Sequence, residues 1–246
     1  MTAGRPGGPL SRLRPIGAWH VLVPVKDIVH AKSRLATSLG EHRPEIALAF
    51  ALDTVRAALR CASVASVTVV TRDYRVASVL GVAGARILAE DAAPQPNVAP
   101  QLNAVIVAAA ARGMDDATKL AVLLGDLPAL MPAELEHALN LADHHDTAFV
   151  PDAGGTGTTL LTAKRRSLLQ PRFGPGSASA HAATGAERLE SRGLAGLRRD
   201  VDDLADLFEA ARLGLGCQTR SLLRDLDVPG LPRVSLDDLA ISLGGS

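Results

Sequence analysis

KLAVLLGDLPALMPAELEHALNLADH, residues 119–144, begins with the most hydrophobic segment of the chain and continues into Gly125 and Asp126. A short apolar run of that length, bounded by a glycine, predicts a buried strand. Pro132 then opens a pattern that predicts a helix through His144, because proline suits the first turn of a helix. The stretch therefore predicts a strand, a loop that carries an acidic residue, and a helix.

The same alternation extends along the chain in both directions. The predicted strands are 19–25, 66–71, 85–89, 119–124, 147–150, 158–162 and 197–201. The predicted helices are 44–60, 73–80, 101–112, 132–144, 177–192 and 203–213. Strands that alternate with helices predict an α/β fold, with one doubly wound, mostly parallel sheet covered by helices on both faces. Its ligand is expected at the carboxyl ends of the strands.

The composition indicates an ordinary globular protein. Of the 246 residues, 47% are hydrophobic and 21% are charged, and the 26 basic residues balance the 26 acidic ones. Because the charges cancel and aromatic residues are only 2%, we expect no nucleic-acid partner. The two cysteines, Cys61 and Cys217, form no CxxC pattern, and no apolar run reaches transmembrane length. We therefore expect a cytoplasmic protein without a membrane partner.

Length and composition also predict the domain organisation. A chain of 246 residues fits one α/β domain with terminal tails. Residues 1–17 are rich in Gly, Pro and Arg, which predicts a mobile tail, and residues 225–246 are expected to form a C-terminal tail. The domain itself is expected to span residues 18–224.

A basic cluster follows the first predicted strand. Lys26, Lys32 and Arg34 lie within nine residues, in VPVKDIVHAKSRL, although the whole chain has only four lysines. Ammonium and guanidinium groups at the carboxyl end of a strand would neutralise the phosphates of a ligand. The alternative is a solvated loop face, since a cluster of this size is common on protein surfaces.

Acidic residues follow two other predicted strands. Asp126 comes after the most hydrophobic strand, and Asp200 and Asp202 flank Val201 in LRRDVDD. Side chains two positions apart in an extended segment face the same side, where two carboxylates repel each other unless a cation joins them. Oxygen ligands of this kind suit Mg²⁺, which also binds substrate phosphates. As an alternative, Asp126 could simply cap the turn that follows it.

Two glycine-rich segments could hold an anion. Residues 154–159, GGTGTT, lie at a turn into a strand, and residues 173–177, FGPGS, lead into a helix with Ser177 as the expected N-cap. Backbone N–H groups and hydroxyls in such places bind phosphate, although glycine and proline also mark ordinary turns. The chain has no GxxxxGK[ST] in these segments and no GxGxxG after the first strand, which disfavours a P-loop NTPase and a dinucleotide-dependent dehydrogenase.

Taken in order, these segments resemble one enzyme family. VPVKDIVHAKSRL, LLGDLPAL, GTGTTLL, RFGPGS and LRRDVDDLADL are similar to the phosphoenolpyruvate/2-phospho-L-lactate guanylyltransferases of coenzyme F420 biosynthesis, the FbiD/CofC family. The likeness runs from about residue 19 to residue 215. It implies a single nucleotidyltransferase domain of the glycosyltransferase-A-like, Rossmann-like type. It also implies transfer of GMP from GTP to phosphoenolpyruvate, giving enolpyruvoyl-2-diphospho-5'-guanosine and pyrophosphate.

The resemblance implies roles for individual residues. The metal ligands, for two Mg²⁺ ions, would be Asp126, Asp200 and Asp202. The phosphoenolpyruvate contacts would be Thr158, Gly174 and Ser177. The nucleotide contacts would be Lys26, Lys32, Arg34 and Asn103. Two of these residues, Lys26 and Asp126, are the expected catalytic groups.

The resemblance makes GTP and phosphoenolpyruvate the expected substrates, and we expect the product to pass to the next enzyme of the pathway. The residues themselves do not identify the acceptor, so 2-phospho-L-lactate and 3-phosphoglycerate stay open. A nucleotide-sugar glycosyltransferase and a non-catalytic nucleotide binder of similar fold are further alternatives. Such glycosyltransferases usually carry a DxD directly after a central strand, where this chain has Gly125-Asp126-Leu127-Pro128.

Overall fold

One seven-stranded sheet runs through the described part of the chain, residues 18–26, 28, 39–90, 102–190 and 192–226 of a computed structural model. The strands are β1 (Trp19–Pro24), β2 (Val64–Thr71), β3 (Arg86–Ala89), β4 (Leu120–Leu123), β5 (Thr147–Pro151), β6 (Thr158–Ala163) and β7 (Glu187–Arg188). Their order across the sheet is β3-β2-β1-β4-β6-β5-β7. All neighbouring pairs are parallel except those of β6, which runs antiparallel to β4 and β5. The expected mostly parallel sheet is confirmed.

Helices connect the strands and cover the sheet. They are α1 (Arg43–Arg60), α2 (Tyr74–Val82), α3 (Leu102–Gly113), α4 (Pro132–Ala142), α5 (Ser177–Ala183), α6 (Leu204–Leu213) and α7 (Cys217–Asp225). Single 3-10 turns lie at Gly40–His42 and Arg166–Leu168. Among these helices, none has the length and apolar character needed to cross a membrane.

The core lies on both faces of the sheet because strand side chains alternate. On one face, Val21 of β1 joins a cluster that includes Val55 of α1. On the other face, Leu22 joins a cluster that includes Ile106 of α3. Strands buried on both sides are continuously apolar, which explains why β1 and β4 were readable from sequence.

Two sequence predictions are wrong between residues 183 and 201. The predicted helix 177–192 stops at Ala183, because Gly185 adopts a φ of 84° that ends the helix, and β7 follows. The predicted strand 197–201 is instead a series of turns, in which the Arg198 N–H donates to the Leu194 carbonyl at 3.0 Å. The backbone of this segment forms hydrogen bonds within itself and with neighbouring loops rather than with a strand of the sheet.

Helix α7 has no counterpart among the predicted elements. Its first N–H groups are capped by a carboxylate of α1: Asp53 accepts from Gln218 N at 3.1 Å and from Thr219 N at 2.8 Å. The cap comes from about 165 residues away in sequence, so no local pattern announces this helix. The predicted tail 1–17 and all but two residues of the predicted tail 225–246 lie outside the described residues.

Candidate active site

A cavity of about 710 Å³ opens at the carboxyl ends of β1, β4 and β5. Strand β6 begins at the same edge because it runs antiparallel to its neighbours. Seven of the residues predicted for the site line this cavity: Lys26, Asp126, Thr158, Gly174, Ser177, Asp200 and Asp202. Of the other three, Lys32 and Arg34 lie outside the described residues, and Asn103 is not among the lining residues. The edge chosen from topology is therefore the edge at which these residues meet.

Four aspartates line the cavity and interact electrostatically, and we call this group the carboxylate wall: Asp126, Asp152, Asp200 and Asp202. The Val201 N–H donates to the Asp126 carbonyl at 3.1 Å, which joins the segment carrying two of them to the end of β4. Val201 itself is fully buried, with Asp200 and Asp202 on either side of it. The alternation expected of this segment therefore holds locally, although the segment is not a strand.

Three side chains anchor the loop that carries Asp200 and Asp202 of the carboxylate wall. Arg198 donates from Nη2 to the Asp152 carbonyl at 2.9 Å. Glu134 of α4 accepts from the Gly196 N–H at 2.8 Å. Asp206 of α6 accepts from the Asp202 N–H at 3.1 Å. The loop is thereby tied to β5, α4 and α6, so the wall is assembled from elements that are far apart in sequence.

Like charge dominates the electrostatics of this wall. Burial raises the pKa of Asp200 to about 7, and the carboxylates of Asp126, Asp202 and Asp152 act in the same direction. Among the described residues, however, no group of three or more His, Cys, Asp or Glu side chains is placed so as to hold a metal ion. The wall thus offers hard oxygen atoms and an excess of negative charge rather than a closed ligand set.

Asp152 was missed by the sequence analysis, and it changes the interpretation of the glycine loop. Its Oδ1 accepts from Thr156 N at 2.9 Å, and its Oδ2 accepts from Gly157 N at 2.8 Å. A Cβ on Gly157 would collide with Asp152 Oδ2, so this close approach requires glycine. These amides are already bonded to a carboxylate, and the loop is therefore not the open anion cradle that its composition suggested.

A second group of lining residues, which we call the hydroxyl wall, consists of Thr158, Gly174 and Ser177. Gly174 and Gly176 have φ values of 135° and 72°, a region that favours glycine. Gly176, not Ser177, is the N-cap residue of α5, which corrects the expected cap. Ser177 is instead the first residue of the helix, and its side chain lies at the cavity.

Asn103 holds the loop that carries the hydroxyl wall. Its Nδ2 donates to the Phe173 carbonyl at 3.0 Å, and its Oδ1 accepts from the Phe173 N–H at 2.8 Å. Both functions of the amide are therefore bonded to one residue of the loop. These contacts hold the backbone directly before Gly174, and Asn103 itself is not among the residues that line the cavity.

A buried histidine forms a hydrogen bond with the Thr158 side chain. His181 of α5 is fully buried; its Nδ1 lies 2.9 Å from Thr158 Oγ1, and its Nε2 accepts from Arg172 N at 2.9 Å. Burial lowers the pKa of His181 to about 4, with the Arg172 charge acting in the same direction. No sequence pattern singled out this residue among the seven histidines, because its two hydrogen-bond partners lie in separate segments of the chain.

Lys26 is the one cationic side chain among the described residues that line the cavity. It is exposed and follows β1 directly. Burial raises the pKa of the nearby Glu90, while the charges of Arg72 and Lys26 act in the opposite direction. Lys26 thus lies where a strand ends at the cavity, as its position in the sequence predicted.

Comparison with known proteins identifies the family. Residues 19–238 match the family described as guanylyl transferase CofC-like. The chain belongs to this family. Among its relatives, the phosphoenolpyruvate guanylyltransferase of Thermomonospora curvata is 45% identical over 83% of this chain and 88% of that protein. The phosphoenolpyruvate guanylyltransferase of Salinispora arenicola is 49% identical over 83% of this chain and 92% of its own length.

Solved structures confirm the fold of this CofC-like chain. A protein described as a nucleotide-diphospho-sugar transferase from Desulfovibrio desulfuricans superposes with a TM-score of 0.62 at 19% identity, covering 85% of this chain and 95% of that one. The 4-diphosphocytidyl-2C-methyl-D-erythritol synthase of Anaerococcus prevotii gives a TM-score of 0.51 at 11% identity, covering 80% and 96%. At such identities the likeness concerns the α/β architecture alone.

Proposed function

We propose that this chain is a phosphoenolpyruvate guanylyltransferase that transfers GMP from GTP to phosphoenolpyruvate in coenzyme F420 biosynthesis. The observation that carries the proposal is the cavity, in which the carboxylate wall and the hydroxyl wall face one space in a chain of the CofC-like family. The names of its relatives point to the same acceptor. On this proposal the enzyme acts in the cytoplasm, and its product passes to the next enzyme of the pathway.

The carboxylate wall suits a hard divalent cation. Its donors are all oxygen atoms, and the raised pKa of Asp200 reflects burial and like-charge repulsion that a cation would relieve. Because the carboxylates alone form no closed ligand set, Asp126, Asp200 and Asp202 would hold two Mg²⁺ ions only when substrate phosphates supply further oxygen ligands. When bound, these ions would supply positive charge that offsets the repulsion between two anionic substrates.

The hydroxyl wall would hold the phosphate of the acceptor. Thr158 and Ser177 provide hydroxyl groups, and the Gly174 N–H has no acceptor among the described residues. Phosphate oxygens only accept hydrogen bonds, so hydroxyl and amide donors fit them. Asn103 would contribute indirectly by holding the Phe173 backbone in place.

The remaining charge would come from the basic cluster. Lys26 would stabilise the pyrophosphate as it departs, and Lys32 and Arg34 are proposed to join it at the phosphates of GTP. An oxygen of the acceptor phosphate forms a bond to the α-phosphorus of GTP, while the bond from that phosphorus to the bridging oxygen of pyrophosphate breaks. The acceptor phosphate is already ionised, so the step needs no protein base.

An acceptor screen tests the proposal. The purified protein is incubated with GTP, Mg²⁺ and one of phosphoenolpyruvate, 2-phospho-L-lactate, 3-phosphoglycerate or a sugar phosphate. Pyrophosphate release and the mass of the guanylylated product are measured in each case. We expect the highest kcat/KM with phosphoenolpyruvate. Turnover with only a sugar phosphate would indicate a sugar-phosphate guanylyltransferase instead. GTP binding without any turnover would favour a non-catalytic binder, and release of GDP from a GDP-sugar would favour the glycosyltransferase alternative.

A further inference from the structure

The hydrogen bonds around His181 determine which of its ring nitrogens carries the proton. A backbone N–H can only donate, so the Arg172 N–H, 2.9 Å away, requires an unprotonated Nε2. A neutral imidazole has one N–H, which must then be at Nδ1. Nδ1 lies 2.9 Å from Thr158 Oγ1, and the ring therefore donates to the threonine.

This direction decides what Thr158 can offer to the cavity. A hydroxyl group has one proton and two lone pairs, and His181 engages a lone pair. Among the described residues, no second partner contacts Thr158 Oγ1, and Thr158 lines the cavity. The hydroxyl proton is consequently left for a ligand. With the opposite tautomer the threonine would donate inward and present only lone pairs, which repel a phosphate.

The surroundings of the ring preserve this arrangement. Phe149 of β5 and Phe173 pack against it, with ring centroids 5.8 Å and 5.1 Å away. The apolar contacts disfavour the imidazolium form, and the pKa of His181 falls to about 4 mainly through burial. The ring is therefore neutral across the neutral pH range.

We propose that His181 is a positioning residue for acceptor binding, which orients the Thr158 hydroxyl so that its proton faces the acceptor phosphate. The inference rests on the proposed function in one respect, namely that the ligand at Thr158 is the phosphorylated acid. The hydrogen-bond direction itself follows from the Arg172 and Thr158 contacts alone.

The first experiment examines the tautomer in the wild-type protein. Nitrogen-15 NMR of histidine-labelled protein distinguishes Nδ1–H from Nε2–H, and His181→Phe assigns the signal. We expect a neutral ring with the proton on Nδ1 between pH 6 and 8. A neutral Nε2–H ring, or an imidazolium in this range, would overturn the proposal. This measurement is independent of any catalytic activity.

The second experiment is a double-mutant cycle on acceptor binding. His181→Phe keeps the aromatic packing and removes the donor, and we expect the Kd for phosphoenolpyruvate, measured calorimetrically, to rise about 3- to 10-fold. In a Thr158→Val background the same change should raise it no further, because the hydroxyl is already gone. His181→Asn, which keeps an N–H near the Nδ1 position, should recover part of the affinity. GTP affinity should be unchanged throughout.

The outcomes separate a positioning role from a purely structural one. Equal losses from His181→Phe with and without the Thr158 hydroxyl would overturn the proposal, as would a Thr158→Val variant that binds phosphoenolpyruvate normally. If His181→Phe does not fold, His181→Asn assigns the NMR signal instead. The wild-type tautomer then decides, together with the expected loss of phosphoenolpyruvate affinity in Thr158→Val but not in Thr158→Ser. Acceptor binding without GMP transfer by the wild type would contradict the proposed function and leave the role of His181 measurable.

Discussion

The two walls of the cavity differ in how their polar groups are satisfied. On the carboxylate wall, burial and three neighbouring carboxylates raise the pKa of Asp200 to about 7. On the hydroxyl wall, Thr158 and the loop at Phe173 are held by neutral hydrogen bonds from His181 and Asn103. One wall concentrates charge that needs a counter-ion, and the other is a preformed set of neutral groups.

This difference predicts which part of the site should depend on ions and pH. Clustered carboxylates destabilise the folded state until a cation arrives, which is a common arrangement at sites where charge is used. A neutral wall keeps its geometry without an ion because its hydrogen bonds are already made. We therefore expect changes to the carboxylate wall to act on turnover and stability, and changes to the hydroxyl wall to act on acceptor affinity.

The largest effect is expected from removing a member of the carboxylate wall. Asp126→Ala should lower kcat by roughly 1,000-fold or more, because losing one preorganised electrostatic group already costs on the order of 100- to 1,000-fold. Steady-state pyrophosphate release at saturating Mg²⁺ measures it. Asp115→Asn is the matched control, since this exposed aspartate lies before β4, at the other end of the strand. Turnover of Asp126→Ala equal to that of the control would contradict the metal-site assignment.

A second change tests the positive charge of Lys26, which lines the same cavity as the carboxylates. Lys26→Met keeps the length of the stem and should reduce kcat about 10- to 1,000-fold, with a much smaller effect on GTP affinity, since the charge matters most as pyrophosphate leaves. Lys26→Arg should restore only part of the rate.

The measurement pairs pre-steady-state turnover with direct GTP titration. Lys164→Met is the control, because Lys164 follows β6 at the opposite edge of the sheet. Equal losses of binding and turnover in Lys26→Met would make Lys26 an anchor for the nucleotide, and no loss in either would return it to a solvated loop.

On the hydroxyl wall, Ser177→Ala should raise the KM for phosphoenolpyruvate and leave the KM for GTP unchanged. A hydrogen bond to a charged group contributes about 1.5–3 kcal/mol, or roughly 10- to 150-fold in affinity. Initial rates over a matrix of both substrates separate the two constants. Ser179→Ala, an exposed serine two residues along the same helix, should change neither constant. If only the GTP constant changes, the loop belongs to the nucleotide.

The smallest expected effect is on folding stability, and it is a pH dependence that comes from the carboxylate wall. The folded pKa of Asp200, about 7, is raised above its ordinary value, so the folded state binds an extra proton and loses stability as pH rises between roughly 4 and 7. Asp200→Asn should therefore raise the free energy of unfolding at pH 8 without metal. We expect about 1–3 kcal/mol, because roughly 1.4 kcal/mol per pKa unit is reduced by partial exposure to solvent.

Urea unfolding with a metal chelator at pH 5 and pH 8 measures this change. The gain from Asp200→Asn should be smaller at pH 5, where the folded wild type carries the proton itself. Asp115→Asn is the matched control for removing one carboxylate outside the wall. A loss of stability in Asp200→Asn at pH 8 would mean that the carboxylate is stabilised in the folded protein, contrary to the electrostatics of the wall.

Local patterns were sufficient for much of the fold and most of the candidate site. The apolar runs of β1 and β4 are buried on both faces, so their hydrophobicity predicts buried strands. The residues that follow these strands lie at the carboxyl edge of the sheet. Lys26 and Asp126 were found by that reasoning. Asp200 and Asp202 were found from their spacing and the resemblance, although the strand predicted for them is wrong.

The remaining features depend on partners far away in sequence. Asp53 caps α7 across about 165 residues, and the Val201 N–H joins Asp126. Asp152 accepts hydrogen bonds from the loop amides that glycine content alone had suggested were open to an anion. His181 meets Thr158 and Arg172 only after β6 and α5 pack together. Sequence by itself determined strands β1 to β6 and the residue types that follow β1 and β4, because those depend on local hydrophobic periodicity. Tertiary structure alone decided which hydrogen-bond donors and charges face each other, because that depends on how separate segments pack in space.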